Sequence, residues 1–350
     1  MRLRHTDKRL CFSGCPQQFF EPMIVVTGGA GFIGSAVVAH LNALGETDIV
    51  IVDNLAESTK WKNLVSLKYR DFIHKSQFLA ALPTPAFGAV SAIIHMGACS
   101  ATTEQQGDYL MANNYAYTRV IAEHALEKGI RFVYASSAAT YGSIESGFND
   151  DDATSMTLRP INRYGYSKQI FDEVAIQNGW QKHIAGIKFF NVYGPNEYHK
   201  GDMSSVVFKA FHQISEFGYL KLFKSNRKEF GDGEQKRDFV YIKDCVDVIM
   251  QLVNKRSANG IFNLGSGAAR SWNDLAGAVF AALGKEKNIE YIDMPAALKG
   301  SYQYFTEANV AKLASAGITL KKTSLEEGVR DYVTNYLLPG ELRLQDRQPA

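Results

Sequence analysis

The chain reads MIVVTGGAGFIG from Met23 to Gly34. The apolar start of this stretch is typical of a buried strand, and the residues that follow, as far as Leu44, have the spacing of an amphipathic helix. A second apolar run ends at Asp53, about 20 residues beyond the glycines. Glycines allow a tight turn and let a pyrophosphate approach the backbone at a helix N-terminus, where its charge is stabilised. The stretch therefore predicts a dinucleotide site, with turn residues Gly28, Gly31 and Gly34 spaced one residue wider than usual.

Apolar strands and amphipathic helices alternate along the first half of the chain. The sequence predicts strands at 24–27, 49–53, 92–95, 131–136 and 184–190, and helices at 31–44, 109–128 and around Tyr164. This alternation is typical of an α/β fold, a Rossmann-type doubly wound parallel sheet. Later segments are shorter, and 224–236 has the composition of an exposed loop. We expect a Rossmann domain at 23–190 and a smaller C-terminal α/β substrate lobe, mainly 191–340, with chain crossovers back to the core.

The composition indicates a globular protein without a polyanionic partner. The chain has 350 residues, of which 46% are hydrophobic and 21% charged, and its formal net charge is +2. No apolar run reaches the ~20 residues that a membrane helix needs. Of the four cysteines, only Cys11 and Cys15 are close in sequence, and no His or Cys pair accompanies them as a zinc site requires. We expect a cytoplasmic protein with no metal, nucleic acid or membrane partner.

The first residues differ from the rest of the chain. Residues 1–22 are basic and irregular and lack the apolar core of a secretory signal. Met23 directly precedes the first predicted strand, so the functional chain is expected to start there. A disordered N-terminal extension is predicted, and a short ordered arm is the alternative.

Tyr164 and Lys168 are four residues apart in a predicted helix, so their side chains share one face. A lysine at this position can lower the pKa of a nearby phenol, and such a tyrosine can act as a general acid/base near neutral pH. Tyrosine and lysine occur at this spacing on many helices by chance. The pair becomes informative because it follows a dinucleotide turn and the serine Ser137.

Several further runs complete a family pattern. They are HMGACSATTE at 95–104, NNY at 113–115, SSAATYG at 136–142, FNVYGP at 190–195, HKG at 199–201, KRDFV at 236–240 and LKGSY at 298–302. With the glycine-rich turn and the Tyr164 helix, they resemble the extended short-chain dehydrogenase/reductase superfamily from Met23 nearly to the C-terminus. The GACSxTTE and HKG runs resemble the ADP-glyceromanno-heptose 6-epimerase family in particular.

The resemblance implies epimerisation at C6 of ADP-D-glycero-D-manno-heptose to ADP-L-glycero-D-manno-heptose, for the inner core of lipopolysaccharide. It also implies one tightly bound NADP per subunit, and a homo-oligomer, a pentamer or decamer. Carried over by position, the other residues expected at the cofactor are Phe32, Ile33, Asp53, Asn54, Lys60, Lys75, Met96, Gly97, Ala98, Cys99, Ser100, Asn113, Tyr164, Lys168, Val192 and Lys200. Those expected at the ADP-sugar are Asn191, Asp202, Lys209, Phe223, Lys224, Ser225, Asn226, Arg237 and Tyr302. Arg237 is the candidate for the diphosphate, since its fork matches phosphate oxygens.

Some positions leave alternatives open. Asp53 followed by Asn54 favours NAD through the ribose hydroxyls, whereas Lys60 could pair with the 2′-phosphate of NADP or be a solvated loop lysine. Asp202 and Lys209 stand where the family more often has a serine and a histidine, so their expected roles at the substrate rest on position and not on residue type. The loop after 225 is also longer than in the family.

The chemistry must invert a carbon that bears a hydroxyl but no adjacent carbonyl. Its C–H bond is not acidic, so we expect transfer of hydride to nicotinamide, a 6-keto sugar, and return of the hydride to the opposite face. Tyr164 and Lys200 are predicted to be the two acid/base groups, one for each epimer. Ser137 is predicted to hydrogen-bond the reacting oxygen, and Lys168 to hold the ribose and lower the pKa of Tyr164. Lys200 as a solvated loop lysine is the alternative.

Other functions share parts of this pattern. A UDP-hexose 4-epimerase has the same Ser, Tyr and Lys but favours NAD and gives no role to Lys200. A 4,6-dehydratase is disfavoured because Ala138 and Ala139 stand where an acidic pair is expected. A non-catalytic NADP-sensing protein is the alternative of another class. His95 is expected to pack at a strand end, and Cys99 to pack against the cofactor rather than act as a nucleophile.

Overall fold

The computed structural model describes residues 23–295 and 302–347. The predicted N-terminal extension, with Cys11 and Cys15, lies outside the described residues, as does 298–301 of the LKGSY run. The strands are β1 Met23–Thr27, β2 Ile49–Asp53, β3 Asp71–His74, β4 Val90–His95, β5 Arg131–Ser137, β6 Ala185–Phe189, β7 Asn191–Tyr193, β8 Leu220–Phe223, β9 Lys236–Tyr241, β10 Gly260–Leu264, β11 Ala269–Ser271 and β12 Ile289–Ile292.

Helices connect most of these strands. The α-helices are α1 Phe32–Ala43, α2 Lys75–Ala81, α3 Gly107–Leu110, α4 Tyr117–Lys128, α5 Asp152–Ser155, α6 Arg163–Gln177, α7 Val206–Phe217, α8 Ile242–Asn254, α9 Trp272–Ala282, α10 Ala311–Ser315 and α11 Leu325–Tyr332. Short 3₁₀ turns are Thr59–Leu64, Pro85–Phe87, Ala138–Tyr141, Trp180–Lys182, Gly201–Met203 and Leu344–Asp346, and π-helical turns are Met111–Ala116 and Val333–Leu337. The helix predicted at 109–128 is therefore two α-helices joined by a π-helical turn.

Seven parallel strands form the central sheet in the order β10-β6-β5-β4-β1-β2-β3. The chain runs outward from β1 to β3, returns to β4 on the other side of β1, and continues outward. This order confirms the predicted doubly wound Rossmann-type sheet. The strand order reverses between β1 and β4, and in such sheets ligands bind at the carboxyl ends of the strands flanking that point.

The C-terminal lobe contains two small sheets. One has the order β11-β9-β7, in which β7 and β9 are parallel and β9 and β11 antiparallel, and β8 pairs with β12 in the other. The predicted loop at 224–236 corresponds to the connection between β8 and β9. The chain then returns to the central sheet, because β10 pairs with β6.

The core lies on both faces of the central sheet. All five residues of β2 are buried, as expected of a strand covered on both sides. Helix α1 buries Ala36, Val37 and Leu41 and packs against α8 on one face. The other face is covered by α2, α4 and α6, through residues that include Phe78, Ile121 and Phe171. Within the described ranges, no helix is both long and apolar enough to cross a membrane.

Candidate active site

A cavity of about 980 Å³ opens at the carboxyl ends of β1, β4 and β5. It lies at the reversal of strand order and is bounded by the glycine-rich turn, by the first residues of α6 and by the loop that carries Lys200. This is the position at which a doubly wound sheet builds a ligand site.

Close backbone contacts shape the turn after β1. Gly28 has a φ of 66°, and a Cβ atom there would lie 2.7 Å from Cα of Gly97 in the loop after β4. A Cβ atom on Gly34 would overlap the carbonyl oxygen of Gly28. Helix α1 begins without a side-chain cap at Gly31, so its first N–H groups are available to an anion. The turn therefore has the geometry of a pyrophosphate cradle.

Asp53 joins the turn to the next loop. Its Oδ2 accepts a hydrogen bond from the Ala30 N–H at 2.9 Å, and its Oδ1 lies 2.7 Å from Lys60 Nζ. Both side chains are largely buried, with 7% of Asp53 and 17% of Lys60 exposed. Further along the cavity, Lys75 Nζ donates to Asn113 Oδ1 at 2.7 Å. Two lysine ammonium groups therefore lie near an anionic ligand that enters at the turn.

Helix α6 carries the Tyr164–Lys168 pair into the cavity. Asn162 caps the helix by accepting a hydrogen bond from the Gly165 N–H at 2.7 Å, which places Tyr164 in the first turn. Lys168 Nζ donates to the Ala135 carbonyl oxygen at 2.9 Å, and burial lowers the pKa of Lys168 to about 8. The lysine is thus tied to the end of β5.

Two effects act on the pKa of Tyr164 in opposite directions. Burial raises the pKa of its phenol, and a hydrogen bond from Ser137 acts in the opposite direction. The Lys168 ammonium group donates to the Ala135 carbonyl oxygen, which occupies one of its three N–H donors. A lowering of the Tyr164 pKa by Lys168 stays a prediction.

Lys200 lies across the cavity, in the loop after β7. Its Nζ is 5.4 Å from the centroid of the Phe32 ring, and the part of the chain that the structure describes provides no hydrogen-bond acceptor for it. Burial lowers the pKa of Lys200, while the buried carboxylate of Glu197 raises it. A half-buried lysine without a hydrogen-bond partner is suited to exchange a proton with a ligand.

Asn114 organises the wall between β4 and α6. Its Oδ1 accepts from the Cys99 N–H at 2.8 Å, and its Nδ2 donates to the Cys99 carbonyl oxygen and to Ser167 Oγ, both at 3.0 Å. Asn114 belongs to the π-helical turn, an irregularity that often occurs at functional sites. The NNY run contains this residue, but a π-helical turn has no distinct sequence signature.

The structure brings most of the predicted residues together. All of the predicted catalytic and cofactor-binding residues line the cavity, as do Asn191 and Asp202. The predicted substrate residues that do not line it are Lys209, Phe223, Lys224, Ser225, Asn226, Arg237 and Tyr302. Residues that line it without having been predicted include Tyr109, Tyr117, Ser136, His199 and Trp272.

Three of the predicted substrate residues that do not line the cavity, Phe223, Arg237 and Tyr302, belong to a neighbouring aromatic cluster. The Arg237 guanidinium lies 5.1 Å from the centroid of Tyr302 and 5.7 Å from that of Trp272. Trp272 Nε1 donates to the Tyr302 hydroxyl at 2.8 Å, and Phe223 packs edge-on against Tyr302. Because Trp272 also lines the cavity, the cluster adjoins it through this one ring. Lys209 lies elsewhere and donates to the Asp202 carbonyl oxygen at 2.5 Å.

His95 and Cys99 have the surroundings expected of packing residues. His95 is buried between Thr27 Oγ1 at 2.6 Å and Thr118 Oγ1 at 2.9 Å, and burial lowers its pKa to about 3. Cys99 lines the cavity wall. Among the described residues, no cluster of His, Cys, Asp and Glu could hold a metal ion.

Comparisons with known proteins agree with this geometry. Residues 24–265 match the NAD dependent epimerase/dehydratase family. The chain is 55% identical over 316 residues to an ADP-L-glycero-D-manno-heptose-6-epimerase of Nitratidesulfovibrio vulgaris, covering 90% of this chain and 98% of the relative. It is 50% identical to the Fusobacterium nucleatum protein of the same name, with 90% and 98% covered. The crystal structure of the Helicobacter pylori ADP-L-glycero-D-manno-heptose-6-epimerase superposes with a TM-score of 0.77 at 28% identity, covering 90% of this chain and 96% of that one.

Proposed function

Because the chain belongs to the NAD dependent epimerase/dehydratase family, and within it to the ADP-L-glycero-D-manno-heptose-6-epimerases, we propose that it interconverts the two C6 epimers of ADP-glycero-manno-heptose with NADP. The family makes it an epimerase that uses a nicotinamide cofactor. The observation that carries the finer proposal is the pair of proton-exchanging side chains, Tyr164 and Lys200, that line one cavity with the dinucleotide turn.

The residues at the turn fit a dinucleotide. The cradle between Gly28 and Gly97 would be filled by a single Cβ atom, and the uncapped start of α1 offers N–H groups to a pyrophosphate. Phe32 and Ile33 lie at the start of that helix, and Met96 to Ser100 form the opposite wall. Lys168 and Asn113 are the described side chains suited to hydrogen-bond a nicotinamide ribose.

Lys60 supports NADP over NAD. Its ammonium group is 2.7 Å from the Asp53 carboxylate, so a 2′-phosphate beside Asp53 would meet a compensating cation rather than an isolated negative charge. NAD is the alternative, with Asp53 accepting hydrogen bonds from the ribose hydroxyls. The Lys60→Ala variant should weaken NADP binding and leave NAD binding unchanged. Lys62→Ala, on the same 3₁₀ turn but exposed, is the matched control. Equal effects on the two cofactors would contradict this assignment.

In the proposed reaction, C6 is inverted because hydride leaves one face of this carbon and returns to the opposite face of the 6-keto group. Bound as NADP, the cofactor supplies a hydride acceptor that becomes the donor, and a positive charge that favours the phenolate of a neighbouring tyrosine. Tyr164 exchanges the proton of the C6 hydroxyl in one epimer, and Ser137 hydrogen-bonds the same oxygen. Lys200 exchanges that proton in the other epimer, after the 6-keto group has turned its opposite face. Lys168, which is hydrogen-bonded to Ala135 at the end of β5, would hold the nicotinamide ribose next to Tyr164.

The aromatic cluster supports a role in holding the ADP-sugar. Arg237 offers charge-assisted hydrogen bonds to a diphosphate, and Tyr302 with Phe223 offers faces on which an adenine can pack. Asn191, at the start of β7, lines the cavity, and β7 pairs with β9, which carries Arg237. For Lys209 the structure offers only a backbone partner, so its proposed role is to hold the loop that carries Asp202.

The deciding experiment is an assay of the purified protein with each ADP-heptose epimer, alongside UDP-glucose and UDP-galactose. The expected result is approach to one equilibrium mixture from either ADP-heptose, with NADP released on denaturation. Turnover of the UDP-hexoses alone would favour a 4-epimerase. Bound cofactor without turnover of any of the four would favour a sensing protein. We also predict that the protein is a cytoplasmic homo-oligomer. Its product is predicted to supply heptose for lipopolysaccharide.

A further inference from the structure

Asn196 has a left-handed backbone conformation close to Lys200. Its φ is 80°, in the left-handed region that residues other than glycine seldom adopt, and the residue is completely buried. It stands four residues before Lys200, in the loop after β7. Asparagine adopts this region more readily than most residues, and non-glycine residues that do so are frequent at functional sites.

The polar groups of Asn196 hold this conformation from three directions. Oδ1 accepts a hydrogen bond from the Leu344 N–H at 2.9 Å, and Nδ2 donates to Ser35 Oγ at 3.0 Å. The carbonyl oxygen accepts from Asn63 Nδ2 at 3.0 Å. Asn196 therefore joins the Lys200 loop to α1, to the 3₁₀ turn that contains Asn63, and to the C-terminal segment.

Asn63 ties the same C-terminal segment to the dinucleotide turn. Its Nδ2 also donates to the Ala30 carbonyl oxygen at 3.1 Å, and its Oδ1 accepts from Arg343 Nε at 3.0 Å. Its own carbonyl oxygen accepts from Gln345 Nε2 at 2.8 Å. We call Asn63, Asn196, Arg343, Leu344 and Gln345 the asparagine junction.

Hydrogen bonds within the loop after Asn196 fix the position of the Lys200 backbone relative to Asn196. The Lys200 N–H donates to the Glu197 carbonyl oxygen at 2.9 Å, and the Lys200 carbonyl oxygen accepts from the Met203 N–H at 3.0 Å. The Glu197 carboxylate accepts from the Gly194 N–H at 3.2 Å and from Ser205 Oγ at 2.8 Å, which pins both ends of the loop. The backbone of Lys200 is thus fixed while its ammonium group has no described hydrogen-bond acceptor.

We propose that residues 343–345 are a positioning element of the active site, which places Lys200 by holding Asn196 and Asn63. The proposal rests on the proposed function, because it assumes that Lys200 exchanges a proton with substrate. A displacement of about 1 Å at a catalytic group can lower a rate by a factor of about 100, so a hydrogen-bonded junction of this kind is sufficient to affect turnover.

Arg343→Ala removes the bond to Asn63, and Arg347→Ala is the matched control. Both arginines belong to the same segment, and each lies over a tyrosine ring: Arg343 at 5.7 Å from Tyr198 and Arg347 at 5.6 Å from Tyr336. Of the two arginines, only Arg343 belongs to the asparagine junction, through its hydrogen bond to Asn63. A second variant, Asn196→Gly, tolerates the positive φ and removes the side-chain bonds, so it tests the junction without adding strain.

The expected result is a fall in kcat of about 10- to 100-fold for Arg343→Ala and Asn196→Gly, with KM changed by less than about 2-fold and Arg347→Ala unaffected. A loosened loop should also hydrate Lys200 and let its lowered pKa rise. The charged group facing Lys200 is Glu197, and the neighbouring His199 is neutral because burial lowers its pKa to about 4. The limb of the kcat–pH profile that reports Lys200 should therefore move to higher pH in both directions of epimerisation.

Three outcomes would overturn the proposal, and they distinguish failure of the positioning role from failure of the proton-transfer role of Lys200. Wild-type kinetics in Arg343→Ala and Asn196→Gly, while Lys200→Ala is inactive, overturn the positioning role alone. A loss that is uniform across pH, with a lower melting temperature, also overturns it, because it reports a smaller fraction of folded enzyme. Full activity of Lys200→Ala overturns the proton-transfer role of Lys200, and the positioning proposal with it.

Discussion

Lys188 Nζ lies 2.7 Å from Asp172 Oδ2, and neither side chain has any exposure to solvent. Asp172 also accepts hydrogen bonds from Ser136 Oγ at 2.6 Å and from the Tyr134 hydroxyl at 2.9 Å. Asp172 is one helical turn beyond Lys168 on α6, so the buried pair joins the catalytic helix to β5 and β6. The pair lies directly beneath the wall of the cavity that Ser136 lines.

Loss of one member of this pair should destabilise the protein strongly. Lys188→Met leaves the Asp172 carboxylate buried without its cation, and we expect a loss of about 3–5 kcal/mol in the free energy of unfolding measured with urea. The control is Lys221→Met, in an exposed pair 3.9 Å from Glu290, for which we expect a change below about 1 kcal/mol. Equal losses of unfolding free energy in Lys188→Met and Lys221→Met would show that the cost of losing the lysine does not depend on burial of the pair.

Tyr164→Phe should abolish most of the epimerase activity without changing stability. Removal of a general acid/base group typically lowers turnover by about 10²- to 10⁴-fold. Tyr166→Phe is the matched control, because this tyrosine is on the same helix but 51% exposed. The measurement is kcat with each ADP-heptose epimer, together with the melting temperature. Comparable activity in the two variants would remove Tyr164 from the mechanism.

The buried His95 should make stability depend on pH. Its pKa falls from an ordinary value of 6.5 to about 3 in the fold, so the unfolded chain binds the extra proton between these values. Stability is therefore complete above pH 6.5 and declines as the pH falls toward 3. Relative to His95→Gln, the wild type should lose about 2 kcal/mol of unfolding free energy between about pH 7 and pH 5. Parallel pH profiles of the two proteins would show that His95 is not the titrating group.

Gly34→Ala should disrupt the dinucleotide turn, because its Cβ atom would meet the backbone carbonyl of Gly28. We expect cofactor affinity, measured by titration calorimetry, to fall at least about 10-fold because the backbone must move from the pyrophosphate. Gly277→Ala in α9 is the control, since its Cβ atom would have nothing within 4 Å. That substitution should raise stability by up to about 1 kcal/mol through lower entropy of the unfolded chain. Unchanged cofactor affinity in Gly34→Ala would contradict the assignment of this turn as the pyrophosphate site.

The sequence was sufficient for those parts of the fold that depend on local patterns. The glycine-rich turn, the strands with continuous apolar runs and the capped helix with Tyr164 are all encoded within about ten residues each. The reversal of strand order between β1 and β4 follows from the doubly wound class. The cavity residues cluster because they follow the carboxyl ends of neighbouring strands.

Other features depend on contacts that no local pattern encodes. The asparagine junction joins Asn63, Asn196 and Arg343 across more than half of the chain, and each residue alone reads as an ordinary loop residue. The direction of the pKa shift of Tyr164 depends on burial, which the helix that carries this residue does not encode by itself. Arg237 does not line the cavity, whereas Trp272, which lies 5.7 Å from its guanidinium group, does, and this contact joins β9 to the first residue of α9.

Because β10 returns to the central sheet, the first half of the chain does not contain the whole of that sheet. Gly260–Leu264 covers the edge of β6, although some 70 residues of the C-terminal lobe precede it in the chain. A fragment that ended at residue 190 would present β6 as a bare edge with unpaired N–H and C=O groups, a template for intermolecular aggregation. The sheet that carries the glycine-rich turn is therefore completed only after the chain has passed through part of the C-terminal lobe, so a cassette that ends at residue 190 lacks the outermost strand of that sheet.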